Sequence, residues 1–288
     1  MEIILDPIAL KQYVHNVKQE QKKVGFVPTM GALHEGHLTL IQEAQKKTDI
    51  VICSIFVNPT QFNDPKDLEK YPRPIEQDKA LLNQIGCDVL FLPDVSAMYP
   101  PNEPEWSIDL GNLDRIWEGE HRPGHFQGVT QVVYKLFQLV QPDVAFFGQK
   151  DFQQVMVIQR MVEVKKLPVQ LDIVPTKRNE YGLALSSRNT RLSPEGIEHA
   201  YALPRALNRI QQQFKSVDLQ HLTPEAIQTI EQTSPLKVEY LAICEAKTLA
   251  LATMIEDDKD YVVIAAAWIE GVRLIDNVIL TASKQTFQ

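Results

Sequence analysis

The chain has 288 residues and a formal net charge of −8, with 44% hydrophobic and 23% charged residues. That length leaves room for about two domains of ~100–200 residues, and the proportions are those of an ordinary globular protein. The acidic balance argues against a general nucleic-acid binder, which would carry a basic face.

Asp6-Pro7 is a helix start, Asp capping and Pro at the first position, and the helix is expected to run to about residue 21. The apolar run 24–27 reads as a buried strand, followed by a loop with Gly31 and Gly36 and an amphipathic helix over residues 37–47. A strand entering a glycine loop and then a helix start is a ready anion site, because first-turn amides and the positive dipole end point above the strand. His34 and His37 flank Gly36 across that turn and can donate hydrogen bonds to phosphate oxygens. On the residues alone, a purely structural loop and a metal site remain open alternatives. The spacing is not His-Glu-x-x-His and no cysteine lies nearby.

The continuous apolar run 50–57 is typical of a parallel sheet covered on both faces, and it ends in the polar loop 58–62. A helix over 74–85, a strand over 88–92 and a short strand over 106–110 are expected next. The basic loop 121–125 leads into a helix over 128–141, then a strand over 144–147, a helix over 152–165 and a strand over 169–174. This alternation predicts a Rossmann-like, doubly wound parallel α/β sheet over residues 1–175. Polar groups then gather beyond three strand ends, at 29–37, 58–61 and 148–151, where such sheets bind ligands. From about residue 176 the pattern changes to a helix over 193–215, a second starting near Thr223, and strands over 238–244, 261–268 and 274–280. That order predicts a smaller C-terminal α+β domain, residues 176–288, with the segment Leu185-Ser186-Ser187-Arg188-Asn189 at the hinge.

Cys53, Cys87 and Cys244 are far apart with no CxxC pair, as expected of reduced core residues. No basic n-region precedes an apolar stretch at the N-terminus, and the longest apolar run, residues 261–269, is too short to span a bilayer. A cytoplasmic protein without a membrane or nucleic-acid partner is the expectation.

Four motifs, in order and spacing, closely resemble the pantoate–β-alanine ligase family. They are Pro28-Thr29-Met30-Gly31-Ala32-Leu33-His34-Glu35-Gly36-His37, the run Ile55 through Phe62, Gly148-Gln149-Lys150-Asp151-Phe152-Gln153-Gln154, and Leu185 through Asn189. Arg273-Leu274-Ile275-Asp276-Asn277 matches in outline. The first motif is the family's version of the His-x-Gly-His signature shared with adenylyl-transferring enzymes.

The resemblance implies ATP-dependent condensation of pantoate with β-alanine through pantoyl adenylate, releasing pyrophosphate and AMP. It implies ATP as co-substrate, accompanying Mg²⁺ and a homodimer. His37 and His34 would contact the ATP phosphates together with Lys150, Ser186, Ser187 and Arg188. Met30, Gly31, Ala32, Leu33, Glu35 and Gly36 would complete the first nucleotide-binding loop. Gly148, Gln149, Asp151 (at the ribose), Thr176, Lys177 and Leu185 would complete the rest. Gln61, Gln154, Pro28 and Met30 would bind pantoate, Tyr71 would lie near the substrates, and Asp78 would approach the magnesium. Arg122 and His125 stand as residues of the site mouth or of a structural loop. The second domain would close as a lid. The alternative is another His-x-Gly-His nucleotidyltransferase acting on a different small acid or mononucleotide.

Overall fold

The computed structural model describes residues 1–101, 103–215 and 218–281. The described residues form two compact units, one drawn from residues 1–149 and 153–175, the other from residues 150–152 and 176–281.

The first unit begins with β1 (Glu2–Ile4), α1 (Pro7–Gln19), β2 (Val24–Thr29), α2 (Glu35–Lys47) and β3 (Ile50–Ile55). Next come α3 (Pro65–Lys70), α4 (Ile75–Ile85), β4 (Val89–Phe91), α5 (Val95–Met98), α6 (Glu118–His121) and α7 (His125–Val140). It closes with β5 (Val144–Gly148), α8 (Phe152–Lys165), whose first residue groups with the other unit, and β6 (Gln170–Val174). The strands form one parallel sheet in the order β1-β4-β3-β2-β5-β6. Side chains alternate across it as the pleat requires. Phe26, Ile52, Ala145 and Phe147 face a core shared with α1, α7 and α8, while Val27, Val51, Cys53 and Phe146 face one shared with α2 and α4. Both faces are covered, so the sheet is doubly wound.

The chain departs from β2 to β3 and β4 on one side, then returns to place β5 on the other side of β2. β2 pairs with β3 through Thr29↔Ile55, but its pairing with β5 ends at Phe26↔Ala145. Pro28 follows two residues later, and without an N–H it cannot continue a ladder. β2 and β5 therefore part at the topological switch point, where this architecture opens its ligand crevice.

The second unit contains α9 (Pro194–Ala200), α10 (Ala202–Gln213), α11 (Leu219–Thr233), β7 (Lys237–Glu245), β8 (Asp260–Ile269) and β9 (Val272–Thr281). The strands form an antiparallel sheet in the order β7-β8-β9. Leu203, Leu207 and Ile210 of α10 and Leu222 and Ile230 of α11 pack with Leu241, Ile243, Val263 and Leu274 in its core.

Several expected boundaries move. No strand forms over residues 106–110. There the side-chain amide of Gln127 takes the place of a neighbouring strand, its Oε1 accepting the Ile108 amide at 3.1 Å and its Nε2 donating to the Ile108 carbonyl at 3.0 Å. The helix expected over 193–215 breaks at Tyr201 into α9 and α10. α11 starts at Leu219 rather than near Thr223, because Asp218 caps it by accepting the Gln220 amide and Leu219 and Leu222 are buried. Pro224 consequently lies inside the helix. β1, α3, α5 and α6 are short elements, three to six residues each, below the length at which periodicity speaks.

Candidate active site

The signature loop leaves β2 at Thr29. Its Oγ1 donates to the Ser54 carbonyl at 2.8 Å and accepts the Gly31 amide at 3.1 Å. Gly31 (φ +80°) and Ala32 (φ +50°) are both left-handed, a conformation natural for glycine and costing roughly 1–2 kcal/mol for alanine. The bend is held from below by Asp78, on the first turns of α4. The Asp78 Oδ2 accepts the Ala32 amide at 2.9 Å and Oδ1 accepts the Leu33 amide at 2.8 Å. Asp78 is only 1% exposed. Both carboxylate oxygens are turned into the protein to hold backbone. Among the described residues no group of three His, Cys, Asp or Glu side chains could hold a metal ion.

α2 starts at Glu35, not His37, with His34 as its N-cap. The two histidines form the cap themselves. His34 Nδ1 accepts the Gly36 amide at 3.1 Å, and His37 Nδ1 accepts the His34 amide at 3.3 Å. An imidazole nitrogen that accepts an N–H carries no proton, so each neutral ring holds its proton on Nε2. The ring centroids are 4.1 Å apart. The amides of Gly36 and His37 are used internally, by His34 Nδ1 and the His34 carbonyl.

Beyond β3 lies a second polar cluster. Asn58, 1% exposed, is its hub. Its Nδ2 donates to Gln61 Oε1 at 3.2 Å and to the Gly128 carbonyl at 3.1 Å, and its Oδ1 accepts the Tyr99 hydroxyl at 2.7 Å. Gln61 is buried, with Nε2 2.9 Å from the Met30 sulfur. One link thus joins the pantoate-side residues Gln61 and Met30 named from the sequence. Asn58 was absent from that set, although a buried asparagine at a strand's C-terminal end is a signal for it. His125 Nδ1 donates to the Gln61 carbonyl at 2.7 Å, and His125 is itself buried. It braces the backbone of Gln61. Arg122 reaches the same carbonyl at 3.5 Å. Tyr71 is buried edge-on against Phe62, centroids 5.7 Å apart. Pro28, in register with Ser54, is half-buried. At the end of β5, a Cβ on Gly148 would meet nothing within 4 Å, so this glycine leaves open space. Gln154 is half-buried on α8. Its neighbour Gln153 is buried and structural, donating to the carbonyls of Leu113 (2.7 Å) and Ile116 (2.8 Å).

Gln149 ends the first stretch of the first unit, while Lys150, Asp151, Thr176, Lys177 and Leu185 to Arg188 lie on the second. Lys150 is mostly covered, its Nζ 3.9 Å from Asp151 Oδ1, and its backbone carbonyl accepts Asn277 Nδ2 at 2.9 Å. Ser186 caps a 3₁₀ turn over Ser187–Arg191, its Oγ accepting the Arg188 amide at 3.2 Å. Leu185 donates its amide to the Lys177 carbonyl at 3.0 Å, which ties the Thr176–Lys177 stretch to the serine segment. Beneath them Arg178 grips Asp276 in two bonds, 2.6 and 2.8 Å. Burial pushes the Asp276 carboxyl above the usual carboxylate range, and the Arg178 guanidinium pulls it back. The sequence pointed to Asp276 and Asn277 only in outline, and to Arg178 not at all.

Comparison with known proteins identifies the family. Residues 2–279 match the family model described as pantoate-beta-alanine ligase. A pantothenate synthetase of Cytophaga hutchinsonii is 46% identical over 276 residues, covering 94% of this chain and 96% of that protein. One from Porphyromonas gingivalis is 45% identical over 284 residues, covering 96% and 99%. A crystal structure of the pantothenate synthetase from Thermus thermophilus superposes with a TM-score of 0.91 at 40% identity, covering 98% of this chain and 100% of that one. A Francisella tularensis pantoate-beta-alanine ligase, complexed with beta-gamma ATP and beta-alanine, superposes with a TM-score of 0.81 at 35% identity over 98% and 100%. With a family model matching nearly the whole chain and relatives above 40% identity along almost their full length, this chain belongs to the pantoate–β-alanine ligase family.

Proposed function

We propose that the chain performs its family's ligation with the two histidines as phosphate-side donors and the Asn58–Gln61 cluster as the pantoate side. It is a pantoate–β-alanine ligase that forms AMP and acts in pantothenate biosynthesis. In the first step a pantoate carboxylate oxygen attacks the α-phosphorus of ATP. The new O–P bond forms as the bridging bond to the β-phosphate breaks, and pyrophosphate leaves. In the second, the β-alanine amine attacks the acyl carbon, the C–O bond to AMP breaks, and the amine sheds a proton as the amide forms.

No covalent enzyme intermediate is needed, so the protein's part is to position the reactants and stabilise charge on the phosphates. His34 and His37 would offer Nε2–H donors, Lys150 and Arg188 positive charge, and Ser186 and Ser187 hydroxyls. Asp151 suits the ribose hydroxyls. Met30 to Gly36, Gly148, Gln149, Thr176, Lys177 and Leu185 would form the rest of the nucleotide's surroundings. Gln61 and Gln154 can donate to a carboxylate and accept from a hydroxyl, with Pro28, Met30 and Tyr71 as walls for the dimethyl group. Mg²⁺ would arrive on the triphosphate, which holds such ions through its own oxygens. The second unit would act as a lid, and a cytoplasmic homodimer is the matching assembly. No helix among the described residues is long and apolar enough to cross a membrane.

The observation that carries these roles is the reciprocal histidine cap, which turns two imidazoles into oriented neutral donors at the sheet's switch point. The test is exchange of labelled pyrophosphate into ATP without β-alanine. Exchange that requires both pantoate and magnesium is expected. Exchange that proceeds equally with other small acids, or none with ATP bound, overturns the reading.

A further inference from the structure

Asp78 stands out because a buried carboxylate beneath a phosphate-binding loop is electrostatically the wrong sign for its neighbourhood, yet it is 1% exposed. Burying a charge is costly unless its oxygens are satisfied, and here the satisfaction comes from the amides of Ala32 (2.9 Å) and Leu33 (2.8 Å). α4 delivers the carboxylate to these amides from 45 and 46 residues further along the chain. The contact is close: a Cβ on Gly31 would lie 3.0 Å from Asp78 Oδ2 and 2.9 Å from Ile55 Cγ2. The two amides belong to the left-handed Ala32 and to the residue directly before the His34 cap. A bend containing a non-glycine residue at positive φ persists only where its surroundings over-determine it. The pair of carboxylate bonds does that here, and so sets the direction in which the chain enters α2 and in which both imidazoles point.

We propose that Asp78 is a positioning residue for adenylate formation: through the Ala32 and Leu33 amides it fixes the loop that aims His34 and His37, and it is not a ligand of the metal. The inference rests on the function proposed above and assigns the residue to one half of the reaction. The acyl transfer to β-alanine does not need the phosphate-side donors to be aimed at a triphosphate, so it should be insensitive to Asp78.

The experiment compares the two half-reactions in Asp78→Asn, which keeps size and one acceptor oxygen but turns an NH₂ group toward an amide. Adenylation is read as pantoate-dependent pyrophosphate exchange, and acyl transfer as pantothenate formation from synthetic pantoyl adenylate and β-alanine. The expected result is a fall of at least about tenfold in exchange, acyl transfer within about twofold of wild type, and an unchanged magnesium concentration for half-maximal exchange. Donor misplacement of this kind commonly costs such factors. Equal losses in both half-reactions would mean a general structural role. Recovery of exchange at high magnesium would make Asp78 a metal ligand, and unchanged exchange would leave it no role; each of the three overturns the proposal. If Asp78→Asn does not fold, Asp78→Glu replaces it, keeping the charge but moving it by one methylene. A folded Asp78→Glu with selectively weakened exchange supports the proposal, and normal exchange overturns it. Wild-type protein without pantoate-dependent exchange would instead indict the proposed function, so the two failures are distinguishable.

Discussion

His34 and His37 cap one helix turn between them: the ring of His37 accepts the backbone amide of His34, and the ring of His34 accepts the amide of Gly36 between them. Each imidazole is thereby held in one tautomer by a group that is part of the fold. His37→Ala removes one oriented donor and half of a cap. Loss of the cap should cost about 1 kcal/mol of stability, leaving a folded protein. Loss of the donor should lower pyrophosphate exchange by about 10²–10³-fold, the usual scale for one preorganised donor. Near-normal exchange by the folded variant would remove His37 from the chemistry.

Gln61 is wedged between Asn58 and Met30. In Gln61→Ala the pantoate KM should rise by about tenfold or more, since a site built to hydrogen-bond its substrate is left with unmet groups, while the ATP KM changes little. Steady-state kinetics with each substrate varied will decide. Equal rises would place Gln61 outside the pantoate site.

Gly128 lies where α7 crosses the loop after β3. A Cβ there would sit 2.3 Å from the Thr60 carbonyl oxygen and 2.9 Å from the Gln61 amide nitrogen, both backbone atoms. Gly128→Ala must push the loop away, at a cost of about 1–3 kcal/mol. Because the loop carries Gln61, thermal melting should show lower stability and kinetics a higher pantoate KM together. A destabilised variant with normal pantoate KM would uncouple the helix from the site.

Arg178→Met strands the carboxylate of Asp276, which is 2% exposed. At pH 7 the loss should be about 3–5 kcal/mol, the scale for a buried charge deprived of its partner. Burial already pushes the Asp276 carboxyl up, and removing the guanidinium pushes it further. The folded variant then holds a proton that the unfolded chain, with a carboxylate near about 3.9, has released. Its deficit relative to wild type should therefore shrink as pH falls from 7 toward that range. Urea unfolding at pH 7 and pH 5 measures this, and an identical deficit at both would mean that Asp276 is not the group responsible.

The parallel sheet was legible in the sequence because β2, β3 and β5 are continuous apolar runs that alternate with helical segments, and each ends at a polar cluster. From residue type and spacing alone the histidine motif read as a candidate anion site, whereas Gln61, Lys150 and the Ser186–Arg188 segment drew their expected roles from the family resemblance, because a lone lysine or a Ser-Ser-Arg turn carries no chemistry that its own position announces. The short segment 106–110 misled because it is apolar and extended in sequence, while its backbone partner turned out to be a side chain, Gln127. At Asp78 the carboxylate is legible at its own position, but the two amides it holds lie on a loop 45 and 46 residues away. The sequence alone determined which chemical groups this protein has and the order of strands that would display them. Only the tertiary structure decided the tautomer of the two histidines, the bracing of Gln61 by His125 and Gly128, and the inward turn of Asp78. The histidine cap is local but exists only once the turn has folded, while the bracing of Gln61 and the turn of Asp78 join segments far apart in the chain, and no local pattern encodes which buried donor will find which acceptor.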